Sequence, residues 1–155
     1  MHAMCAVVGK TVTDIYTLME RQCDIGQWDY GNIGGRYLNT IPVSKNCQNH
    51  YPVDFPFLDE RPETNGFIGD PMTNNLNCQY VSITRVRNID KEECERLHSC
   101  NHLDILHPAA ALIKYLDNSI SDLVEDPHMS HEMLMDLISN PRYKSFYIAV
   151  VDYHY

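Results

Sequence analysis

The residues best suited to chemistry lie in two short stretches far apart in the chain. The first is Gln27-Trp28-Asp29-Tyr30-Gly31-Asn32-Ile33-Gly34-Gly35-Arg36-Tyr37, which holds the sole tryptophan. Gly34 and Gly35 permit positive φ and close backbone approach. Arg36 then offers a planar fork to a phosphate or carboxylate, and Trp28, Tyr30 and Tyr37 offer rings that stack on a base. Together these types suit an anionic heterocycle such as a nucleotide. They equally suit a rigid turn, with Trp28 in the core and Arg36 paired to Asp29. No Gly-Lys-Ser/Thr follows Arg36, so this is not a Walker loop.

The second stretch is Val151-Asp152-Tyr153-His154-Tyr155. Two residues apart on a strand, Asp152 and His154 share a face. A carboxylate beside an imidazole orients it and raises its basicity, as a general base or a metal ligand requires. The competing expectation is a frayed terminus with both groups solvated. A third set, Cys94, His98, Cys100 and His102 with His107 beyond, contains zinc-ligand types. Its spacing matches no standard finger or ribbon, so buried thiols and surface imidazoles are the simpler expectation, and no metal or cofactor is predicted. Met4-Cys5-Ala6 is similar to the start of class II glutamine amidotransferases. Met1 to Met4 precede the cysteine, however, and Ala6 stands where a glycine is usual, so Cys5 reads as a buried strand thiol.

These stretches must be positioned by one fold, and 155 residues fit a single domain, 1–155. A hydrophobic content of 44% suffices for a core. The net charge of −9 argues against direct nucleic-acid or anionic-membrane binding, since both need a basic surface. It permits a basic protein partner. No run is long enough to span a bilayer, and no signal peptide is evident. The six cysteines then read as reduced thiols in a cytoplasmic protein.

Residues 3–9 read as a buried strand. Thr11 and Asp14 have capping-box spacing ahead of a helix over 12–21, with Ile15, Leu18 and Met19 on one stripe. Residues 23–35 read as a loop and 36–43 as a strand. From 44 to 77 the chain is rich in Pro and Asn, and reads as a long irregular segment. A strand is predicted over 78–87 and a helix from Asn88 or Asp90 to about Ser99. Pro108 opens a predicted helix with Leu112, Ile113, Leu116, Ile120 and Leu123 on its apolar face. Asp126-Pro127 opens another through about Ser139. Residues 145–153 are the clearest strand. This order implies an α+β fold, a small antiparallel or mixed sheet with helices on one face, and the terminal strands could lie side by side.

Three pieces together resemble a group of small uncharacterised phage and bacterial proteins: Met4 to Gly9, Trp28-Asp29 through Gly34-Gly35-Arg36-Tyr37, and Val151-Asp152-Tyr153-His154. That group has a Trp-Asp-aromatic segment leading to Ile-Gly-Gly-Arg-Trp and ends in Val-Asp-x-His. The likeness covers about a quarter of the chain, Tyr37 replaces the tryptophan, and 44–140 has no counterpart. It implies a phage-type protein with Trp28, Gly34, Gly35, Arg36, Asp152 and His154 as a shared feature, and no known activity. The leading expectation is a host-defence antagonist, working in the host cytoplasm, that sequesters a nucleotide-derived ligand. Trp28, Tyr30, Gly34, Gly35, Arg36, Tyr37, Asp152 and His154 would line its site, in a monomer or a homo-oligomer. The alternatives are an acidic inhibitor of a host protein and a small nucleotide or phosphoester hydrolase. The inhibitor would use the acidic residues of 90–95 and 117–132, which a solvated helix face also explains.

Overall fold

The computed structural model describes residues 1–37, 40–44, 78–99, 111–125 and 127–155. Eight strands and three α-helices occur among them: β1 (His2–Gly9), α1 (Val12–Asp24), β2 (Tyr30–Ile33), β3 (Ile41–Ser44), β4 (Cys78–Val81), β5 (Ile83–Arg85), α2 (Lys91–Ser99), β6 (Ala111–Leu116), β7 (Ser119–Ile120), α3 (Pro127–Ser139) and β8 (Tyr147–His154). The expected α+β class and mixed sheet are present. Strands run in the order β2-β8-β1-β6-β7, with β5 also paired to β8, while β3 and β4 form a separate antiparallel pair. The terminal strands are neighbours: β1 lies antiparallel to β8 from His2↔His154 to Gly9↔Tyr147, and parallel to β6 on its other side.

β1 and β8 are nearly continuous apolar runs because both their faces are covered. On one face Met4, Ala6, Val8, Leu112, Ile148 and Val150 pack with Leu134, Leu137 and Ile138 of α3, Ile41 and Val43 of β3, and Cys94 of α2. On the other, Cys5, Val7, Ile113, Ala149, Val151 and Tyr153 pack with Ile15, Leu18 and Met19 of α1 and with Trp28. The helices are therefore divided between the two faces rather than gathered on one. α1 begins at the expected capping box: Thr11 Oγ1 accepts from the Asp14 N–H and the Asp14 carboxylate accepts from the Thr11 N–H, both at 3.1 Å.

One predicted helix is wrong in type. Leu112 to Ile120 form the β6–β7 hairpin, closed by Asp117 and Asn118 at φ 51° and 63°. Positive φ at both central residues is the turn that suits strand twist. Parallel pairing with β1 places Leu112 in one core and Ile113 in the other, a period of two that overrode the helical spacing. Other departures concern boundaries. Residues 30–33, expected in a loop, pair with β8. The expected 36–43 strand is a 3-10 turn at Gly35–Tyr37 followed by β3, and the 78–87 strand bends at Ser82. The Pro/Asn-rich segment after Ser44, the start of the helix expected at Pro108, and the Asp126 cap lie outside the described residues.

Candidate functional site

The site is a corner of the sheet where β8 ends, and strand register builds it. β2 and β5 share one edge of β8: β5 pairs with Tyr147–Ala149 and β2 with Val151–His154. At the junction the Val150 N–H donates to Ser82 O and Val150 O accepts from the Gly34 N–H, both at 2.9 Å. His154 lies opposite His2 on β1 and opposite Tyr30 on β2, so three polar rings form one cross-strand row. Tyr30 stacks on His154 with centroids 5.3 Å apart and planes at 5°, and His2 meets His154 edge-on at 5.1 Å.

Asp152 and His154 share a face as expected, but they are not each other's partners. His2 Nδ1 donates to Asp152 Oδ1 at 2.8 Å, and the Arg36 backbone N–H donates to Oδ2 at 3.0 Å. His154 Nδ1 instead donates to Asp29 Oδ2 at 2.8 Å, and its Nε2 accepts from the Met1 ammonium, also at 2.8 Å. The Asp152 side chain is 4% exposed and that of Asp29 67%, so one imidazole is held by a buried carboxylate and the other by one that faces water. A carboxylate below the surface is tolerated when its oxygens meet donors, as both oxygens of Asp152 do. The terminus is thus held rather than frayed.

Gly34 and Gly35 explain how a backbone N–H reaches that carboxylate. They have φ 79° and 52°. A Cβ on Gly35 would lie 2.5 Å from Asp152 Cβ and 2.6 Å from Oδ2. Only a glycine passes this close while turning the chain left-handed, and the turn aims Arg36 N–H at Asp152. Arg36 itself is exposed, and its guanidinium has no ion pair or hydrogen bond among the described residues. Asp29, the partner expected for it, is bound to His154. Tyr37 is half-buried against the α3-side core. Burial first, and then the Asp152 charge, push its phenol above the usual range, with Arg36 acting the other way.

Trp28 does not belong to this corner. It is 3% exposed in the α1-side core, stacked on Tyr153 at 4.7 Å and 17°. It therefore offers no ring beside Arg36, and its Nε1 has no hydrogen-bond partner among the described residues. Cys5 is fully buried, and that burial raises its thiol far above the ordinary range. Cys94 is likewise in the core, while Cys100, His102 and His107 lie outside the described residues, among which no group of three metal-ligating side chains gathers. Two clefts formed by described residues lie away from the corner. One of about 310 Å³ is lined by Lys10, Asp14, Tyr115, Asp117, Asn118 and Phe146, and one of about 210 Å³ lies beside Tyr16, Met19 and Cys23. In the larger, Asp14 is already committed to the helix cap. The corner is preferred because its titratable groups converge and are oriented.

Six of the eight residues singled out from the sequence converge here: Tyr30, Gly34, Gly35, Arg36, Asp152 and His154. Tyr37 lies at the border, and Trp28 is on the other face. His2 and the role of Asp29 were missed, because only the β1–β8 and β2–β8 registers bring them to His154. Comparison with known protein families, with curated proteins and with solved structures finds no match. No helix among the described residues is long and apolar enough to cross a membrane.

Proposed function

We propose that this corner captures a small, nucleotide-derived anion. The observation carrying this reading is an exposed guanidinium with no partner among the described residues, on a residue whose backbone N–H holds the Asp152 carboxylate that also orients His2. Arg36 supplies a bidentate donor for phosphate. Tyr30, 42% exposed, has one face on His154 and so leaves the other for a base. Of the rings expected to stack, Tyr30 rather than the buried Trp28 takes that role. The acidic chain disfavours long polyanions and so favours a small ligand. In a phage-type antagonist, such capture withdraws a nucleotide signal from the host.

The test is a thermal-shift and calorimetric screen of mono-, di- and cyclic nucleotides on the wild type, Arg36→Ala and Tyr30→Ala. A ligand at a hundred times its Kd stabilises the fold by about 2.7 kcal/mol. Loss of the Arg36 contact is expected to weaken binding by about 1.5–3 kcal/mol. If no nucleotide shifts the wild type, the reading is wrong, and salt-sensitive binding to a protein would put the acidic inhibitor in its place.

A further inference from the structure

Beyond capture, we propose that His2 and His154 form a general acid–base pair that cleaves the phosphodiester of a small ribonucleotide. The inference rests on the ligand-binding reading and adds turnover to it. Both imidazoles are fixed through Nδ1, each by its own carboxylate at 2.8 Å. Each ring therefore keeps Nε2 as its reacting nitrogen. They are direct cross-strand neighbours with centroids 5.1 Å apart, so one phosphoryl group can lie within hydrogen-bond reach of both, about 2.7–3.2 Å from each. The side chains are 20% and 32% exposed, so neither ring is closed off from solvent.

Hydrogen-bond partners divide the roles. His154 donates its Nδ1–H to the Asp29 carboxylate, so in the neutral ring Nε2 carries the lone pair and suits the base. His2 Nε2 faces the Tyr30 hydroxyl at 3.4 Å, a group that can accept, so it can carry a proton and suits the acid. In the reaction the substrate's 2′-hydroxyl binds at His154 Nε2. His154 Nε2 takes its proton as the oxygen attacks phosphorus. The bond from phosphorus to the 5′-oxygen breaks, and His2 Nε2–H gives its proton to that oxygen. The products are a 2′,3′-cyclic phosphate and a 5′-hydroxyl, with no change of oxidation state. An internal hydroxyl suits this pair, because it needs only positioning and deprotonation. Arg36 holds the phosphoryl charge. Asp29 and Asp152 are positioning residues.

The test uses the full chain with two probes, adenylyl-(3′→5′)-adenosine and its 2′-deoxy counterpart, which lacks the nucleophile. The wild type is expected to bind both and to convert only the first, to adenosine 2′,3′-cyclic phosphate and adenosine. His2→Asn and His154→Asn keep an amide donor near the carboxylate. Each is expected to lower kcat by about 10²–10⁴-fold, a larger loss than any weakening of its affinity for the deoxy probe, and residual binding of that probe reports that the variant is folded. Asp29→Asn is expected to lower kcat with KM kept. Binding of both probes with no cleavage by the wild type overturns the acid–base pair and leaves the capture reading intact. Wild-type rates in both histidine variants overturn the pair as well. Failure of the wild type to bind either probe overturns the cleavage proposal, and failure with the mono-, di- and cyclic nucleotides as well overturns both readings.

Discussion

Replacing Gly35 with alanine tests the geometry on which the whole corner depends. The residue sits at φ 52°, and the added methyl would lie 2.5 Å from Asp152 Cβ and 2.6 Å from Oδ2. Left-handed backbone costs a non-glycine residue about 1–2 kcal/mol. Forcing a methyl into a filled site costs about 1–3 kcal/mol more. The sum is about 2–5 kcal/mol, or a fall in Tm of about 4–20 °C for a chain of this size. Gly26 supplies the control: at φ 75° it has the same backbone demand, but an added Cβ meets nothing within 4 Å. Gly26→Ala should therefore carry only the backbone cost. Urea unfolding of both variants with an unchanged m-value isolates the clash as their difference, about 1–3 kcal/mol. If Gly35→Ala is no worse than Gly26→Ala, the carboxylate does not lie under the glycine turn and the corner is misassembled.

Three further outcomes are expected. Asp152→Asn keeps an oxygen for the Arg36 N–H, but its amide nitrogen then faces His2 Nδ1, which must shed its proton to accept. Both bonds lose the carboxylate charge, so urea unfolding should show a loss of about 1 kcal/mol, and the His2 ring should change tautomer by NMR. Trp28 is buried on the face opposite Arg36. Its fluorescence should therefore be blue-shifted and insensitive to nucleotide, and Trp28→Phe should leave nucleotide affinity within about twofold, since it removes no group near the guanidinium; a strong loss would restore Trp28 to the site. Cys5 should resist thiol reagents in the native protein. Partial burial, followed by the charges of Asp24, Asp29 and Glu20, raises the Cys23 thiol. Its thiolate fraction at neutral pH is thus below that of a free cysteine, and peptide-mapped alkylation should accelerate as pH rises beyond the ordinary thiol range.

Local chemistry made much of the fold legible. The apolar runs of β1 and β8, the Thr11/Asp14 capping box and the Pro127 helix start act over a few residues, and each formed as read. The shared face of Asp152 and His154 followed from strand period alone, and the two glycines did serve positive φ and close approach. Partnership was different. Leu112 to Ile120 carry a helical spacing, yet pairing with β1 makes them a hairpin, because burial in two cores outweighs a weak local preference. Trp28 and Tyr30 are two residues apart, and only the packing of α1 decides that the first is core and the second is surface. His2 and His154 stand at opposite ends of the chain. Their meeting, and the choice of Asp152 for one and Asp29 for the other, depends on which strands are neighbours and in what register. That is a property of the assembled sheet, in which a slip of one residue would turn every one of these side chains to the other face.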